Sequence, residues 1–131
     1  MRQHEQALLF LKKAAEDEAL LDAVLAVTSV ADATFGFHCQ QAAEKLLKAL
    51  LSELCTRFQR THDLQELMNL LEGAGHKLPE ELRRVDELTP FAVEFRYDIL
   101  TFGEVFDRAA ARELVRQLRC HVERFVTPPS S

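Results

Sequence analysis

The chain has no tryptophan, only four glycines and four prolines, and no stretch in which valines and threonines alternate with polar residues. Strands need that alternation between turn residues, so a β-sheet has almost nothing to be built from. The three cysteines, Cys39, Cys55 and Cys120, are odd in number and too far apart for a C-x-x-C pair. That spacing argues against a disulfide framework and against a zinc site, and the three are expected as small buried side chains. No apolar run approaches the roughly 18 to 20 residues that cross a bilayer. The opening MRQHEQALLFLKK carries a short apolar patch followed by lysines and acids, where a secretory signal needs a small-residue cleavage site. A protein of the cytoplasm with no membrane segment is expected. A Walker loop, a metal-spaced acid pair and a Ser-His-Asp arrangement are also missing, so the expectation includes no metal and no cofactor.

What remains is helical. With 131 residues, 47% hydrophobic and 28% charged, the chain suits one domain, placed at 1–126, with TPPSS at 127–131 as a frayed tail. The fold class expected is all-α, an antiparallel up-and-down bundle of about five helices joined by short connections. A first helix from about Arg2 to Val27 turns Leu8, Leu11, Ala15 and Ala19 inward and leaves Glu16, Asp17, Glu18 and Asp22 as an acidic outer face. Ser29, with Asp32 three residues on, forms a capping box for a second helix running to about Phe58. Thr61 is placed to cap a third helix with Asp63 in its first turn, and Gly73 to stop it. Pro79 fits the start of a short fourth piece, Pro90 begins another before a turn at Gly103, and Asp107 caps the last helix. That helix turns Ala111, Leu114, Leu118, Val122 and Phe125 inward.

On the second helix, Phe35, Cys39, Ala42 or Ala43, Leu46, Leu50, Leu54 and Phe58 recur at helical spacing as a core stripe. His38, Gln41, Lys45, Lys48 and Ser52 recur beside them, so an imidazole, an amide and two ammonium groups lie in one row about three turns long. Such a row suits a phosphate backbone or a nucleotide. It equally suits a solvated face on which Glu44 pairs with Lys48 at i,i+4.

FHCQQAAEKLLKALL, then THDLQELMNLL, then LTPFAVEFRYD and a final amphipathic helix resemble, in that order and spacing, the HEPN family of small bacterial and archaeal helical proteins. The resemblance spans about residues 5 to 126. It implies a bundle of about five helices, usually homodimeric and associated with nucleotides or RNA. It also implies a partner, a minimal nucleotidyltransferase encoded alongside, in a two-component arrangement that is sometimes of toxin–antitoxin type. The candidate nucleotide- or RNA-binding residues are His38, Gln41, Lys45, Lys48, Arg96 and Tyr97; Asp98 stands where the subgroup usually carries proline.

Ribonuclease members of the family carry R-x(4-6)-H near the start of the last helix, where histidine moves a proton and arginine steadies charge on a phosphate. Here Arg96 stands in RYDILTFGEVF with no histidine after it. Arg57 with His62 and Arg116 with His121 fit the string elsewhere, but with 11 arginines and 5 histidines in the chain roughly 1.3 such matches arise by chance. The expected function is therefore an HEPN-like nucleotide- or RNA-associated subunit acting with a nucleotidyltransferase. One alternative is a metal-independent ribonuclease joining Arg96 to a histidine that folding brings close, such as His38. A second is a non-catalytic interaction bundle. Arg96 also suits an ion pair with Glu44 or the first helix, and His62 and Asp63 suit the start of a helix.

Independently of the family, Arg108, Arg112, Arg116 and Arg119 follow one face of the last helix. In a chain of net charge −5 this stripe can grip RNA phosphates, meet the acidic face of the first helix, or meet a partner. No aromatic side chains interleave with it as stacking platforms, which favours a protein contact or a solvated face.

Overall fold

The computed structural model describes residues 2–92 and 106–126, and Arg96, Tyr97, Asp98, Gly103 and the tail at 127–131 lie outside them. Among the described residues the regular structure is helical, with no strand. The elements are α1 (Arg2–Val24), α2 (Asp32–Glu53), α3 (Leu64–Gly73), α4 (Glu80–Arg83), a 3-10 segment (Arg84–Ala92) and α5 (Arg108–Glu123).

α2 is the central helix: α1, α3, the 3-10 segment and α5 all pack on it. Side-chain pairs fix the directions. His4 meets Glu53 while Asp17 meets His38 and Lys45, so α1 and α2 are antiparallel. Arg108 meets Val24 while Arg119 meets Leu11, so α5 is antiparallel to α1 as well. The core follows from this position. Phe35, Cys39, Ala42, Ala43, Leu46 and Leu50 are buried as the spacing requires, and Leu47, Ala49 and Leu51 are buried too because a central helix has little outer face. Each buried leucine contributes about 1.5–3 kcal/mol of transfer free energy. Gly36 is needed for close approach: a Cβ there would lie 2.4 Å from Cδ1 of Phe91, so its absence lets the 3-10 segment seat Phe91 on α2.

Several boundaries differ from the sequence expectation, each for a physical reason. α1 buries Ala7, Leu11, Ala14 and Leu21 together with Asp17 and Glu18, whereas Ala15 and Ala19 are exposed. The acids have partners inside, and assuming them outside shifts the predicted stripe by one residue. α2 begins at Asp32 with Ala31 as N-cap and no side-chain cap, so Ser29 does not cap it. Arg108 instead fastens the turn between α1 and α2, donating to the carbonyls of Val24, Val27 and Val30 and to the Asp32 carboxylate. It thereby satisfies carbonyls that the end of a helix leaves open.

α2 stops at Glu53, short of Phe58. Cys55 takes φ 57°, its N–H reaches Ser52 O at 3.0 Å, and the Thr56 N–H reaches Leu51 O at 2.9 Å. This is a Schellman ending without the glycine that would announce it. α3 is capped by Asp63, whose carboxylate accepts from the Gln65 and Glu66 amides, while Thr61 accepts from the Asp63 N–H. Gly73 is the last residue of α3, and the stop is made by Gly75 at φ 89°. Pro90 lies inside the 3-10 segment, and Asp107 caps α5 through the Ala110 amide as expected.

In α5 the buried apolar residues are Val115, Leu118 and Val122; Ala111 and Leu114 are half-buried and Phe125 is exposed. Of the cysteines only Cys39 is buried, its thiol pKa pushed up to about 12 by burial and so unreactive. Cys55 is exposed because it sits in a turn, and Cys120 because it lies on the outer side of α5.

Candidate functional site

The polar row on α2 is bonded to neighbouring side chains. Lys45 Nζ lies 2.6 Å from Asp17 Oδ2, and His38 Nδ1 lies 3.0 Å from Asp17 Oδ1. One buried carboxylate on α1 thus holds two members of the row. Lys48 Nζ lies 2.7 Å from Glu44 Oε2, the i,i+4 pair that the sequence suggests. Gln41 donates to Gln40 Oε1 at 2.7 Å, and Ser52, buried, contacts Gln6 at 3.4 Å. The positive charges of the row are therefore close to compensated, and about a quarter of the Lys45 side chain remains exposed against an eighth of Lys48.

Glu44 is the hub of a second cluster. Its carboxylate accepts from Gln40 Nε2 at 3.0 Å, Lys48 Nζ at 2.7 Å and His62 Nδ1 at 2.9 Å. Burial works to raise its pKa, but the hydrogen bonds from Lys48, His62 and Gln40 outweigh burial and hold it below the ordinary carboxylate range. Gln40, fully buried, also donates to the His62 carbonyl at 2.9 Å. A helix thus grips both the backbone and the ring of one residue in the α2–α3 connection. The His62 ring itself is 59% exposed. Gln40 to Glu44 is readable as an i,i+4 spacing, whereas the grip on His62 joins residues 18 apart and has no sequence signal.

The arginine stripe meets α1. Arg112 reaches Asp22 at 2.6 and 3.2 Å and Glu18 at 3.4 Å. Arg119 reaches Glu18 at 2.6 Å and the Leu11 carbonyl at 2.9 Å. The hydrogen bond from Arg112 holds Asp22 below the usual carboxylate range, and Asp22 in turn keeps Arg112 firmly protonated. Arg116 points outward and pairs with Glu113. Three of the four guanidiniums, Arg108 among them, are thus tied to α1 or to the turn that follows it.

The histidines follow a pattern. Three donate Nδ1 to a carboxylate: His4 to Glu53, His38 to Asp17 and His62 to Glu44. The other two face each other, His76 Nε2 lying 2.9 Å from His121 Nε2 beside the Phe125 ring. Burial lowers both their pKa values, and for His121 the neighbouring His76 and Arg124 lower it further. His121 is therefore engaged with His76 rather than with Arg116. Among the described residues no three His, Cys, Asp or Glu side chains cluster as metal ligands. A groove of about 560 Å³ lies between the 3-10 segment and α5, with Leu88, Phe91, Phe106 and Leu114 in its lining.

The family model of the HEPN domain matches residues 5–127. The chain belongs to the HEPN domain family. No curated protein and no solved structure matches it.

Proposed function

We propose that this chain is a nucleotide- or RNA-associated HEPN subunit that works with a minimal nucleotidyltransferase as one half of a two-component, toxin–antitoxin type pair, itself homodimeric. The observation that carries this reading is the family match over residues 5–127. Binding rather than cleavage is supported by the chemistry of the residues: no histidine follows Arg96 at the family's catalytic spacing, and His121 is occupied by His76. The row His38, Gln41, Lys45 and Lys48, with Arg96 and Tyr97, is the ligand-associated face in this reading. Its ion pairs to Asp17 and Glu44 set the positions of those side chains, and a phosphate must compete with the carboxylates. The test is co-expression of the tagged chain with a minimal nucleotidyltransferase found encoded beside it, and incubation of the purified chain with RNA. Co-purification and intact RNA are expected; RNA cut by wild type and spared by Arg96→Ala would instead support the ribonuclease alternative.

A further inference from the structure

The net charge is −5, and most of the cations that a sequence search would offer to a phosphate already have acidic partners. Lys45 and Lys48 lie on Asp17 and Glu44. Arg112 and Arg119 lie on Glu18, Asp22 and Glu123. Arg108 is taken up by Asp32 and three carbonyls, and the exposed Arg84 and Arg116 lie against Glu87 and Glu113. Arg2, Lys12, Lys77, Arg83 and Arg124 also lack a carboxylate partner among the described residues, and the α2–α3 connection stands apart in carrying two such guanidiniums on one short non-helical stretch. Arg57 and Arg60 are both exposed there, three residues apart, and neither pairs with a carboxylate among the described residues. The acid of the same stretch, Asp63, is turned to the α3 amides as their cap.

The connection is also held in place. Its last residues are fastened to α2 by two buried side chains, Gln40 on the His62 carbonyl and Glu44 on the His62 ring. Its first residues are fastened by the Schellman bonds of Cys55 and Thr56 to Ser52 and Leu51. Between these anchors Phe58 packs on Phe10 and under Lys48, its ring 6.1 Å from the first and 5.7 Å from the ammonium of the second. A non-helical segment pinned at both ends and in the middle keeps in place the backbone that carries Arg57 and Arg60, which lowers the ordering cost of binding. Guanidiniums match phosphate oxygens bidentately.

We propose that the α2–α3 connection is the phosphate-contact surface of this chain, with Arg57 and Arg60 taking the phosphate-ester oxygens of an RNA strand or a nucleotide, and with Gln40, Glu44 and Lys48 as the frame behind it. This rests on the nucleotide- or RNA-associated reading above and places its phosphate contact at the edge of the α2 row, where the cations are free of acidic partners.

The experiment titrates labelled single-stranded RNA and, separately, ATP with wild type, Arg57→Gln/Arg60→Gln and Arg116→Gln, across a series of salt concentrations, with thermal unfolding of each variant alongside. Both substituted arginines are exposed, so unfolding is expected to be unchanged. The double variant is expected to lose about tenfold or more in RNA affinity at low salt, and the slope of log K against log salt to fall by about 1.4, for two phosphate contacts on a single strand. Arg116→Gln is expected to bind as wild type does. Loss in the RNA arm alone identifies a strand; loss in both arms identifies the phosphate ester shared by strand and nucleotide. Wild-type binding left within about twofold by the double variant, with its salt slope intact, overturns this inference and leaves the functional reading standing. Wild type that binds neither RNA nor ATP overturns both.

Discussion

Arg119 Nε lies 2.6 Å from Glu18 Oε2, joining the second half of α5 to the second half of α1. With Arg112 on the same carboxylate and on Asp22, two charge patterns that look independent in the sequence become one interface. Arg112 and Glu18 are both buried, and removing Arg112 leaves Glu18 with Arg119 alone and takes from Asp22 the guanidinium that bonds both its oxygens. Arg112→Ala is expected to destabilise the fold by about 3 kcal/mol, whereas exposed Arg116→Ala changes it by about 0.5 kcal/mol or less, as urea unfolding of each variant will show.

The contact of Gly36 with Phe91 leaves no room for a methyl group. Gly36→Ala is expected to cost about 1–3 kcal/mol through overpacking, despite the better helix propensity of alanine, and Phe91→Leu in the same chain should recover part of that loss. A Gly36→Ala variant as stable as wild type would mean that the 3-10 segment does not seat on α2 in this way.

Cys55 occupies a left-handed backbone position that glycine takes without strain, and its side chain is exposed. Cys55→Gly should raise stability by about 0.5–1 kcal/mol, measured by thermal unfolding in reducing buffer.

Two clusters contribute to the acid limb of stability beside the Asp22–Arg112 pair. The His76/His121 pair resists protonation because burial disfavours the cation. Unfolded imidazoles take protons near pH 6.5, so the stability contributed by the neutral pair is complete above that value and is lost as pH falls through the pair's lower folded pKa. Glu44 has a depressed pKa, so its contribution is complete above the unfolded carboxylate value and is lost as pH falls through its folded one. Urea unfolding from about pH 8 down to about pH 3 should thus show two losses. His121→Gln removes the earlier one and Glu44→Gln diminishes the later one.

Helix count, the central stripe from Phe35 to Leu50 and the Asp107 cap were legible because each is local: a period, or a residue three positions from the amide it serves. The inner face of α1 was not. Burying Asp17 and Glu18 makes sense only once Lys45, His38, Arg112 and Arg119 arrive from α2 and α5, and periodicity carries no information about them. The same holds for the candidate site. Its α2 row was visible at spacings of three and four, but Asp17 as the partner of that row and the hold of Glu44 on His62 depend on tertiary contacts. Cys55 as a helix stop was hidden because the position asks for glycine and the chain has none there.

The most direct test of the account is a binding titration of wild-type protein with ATP and with short single-stranded RNA, at low and at physiological salt, with the RNA run on a denaturing gel afterwards. The account predicts binding to at least one of them that weakens as salt rises, and RNA recovered at full length. RNA cut in the absence of metal, or no binding of either ligand at low salt, would contradict it.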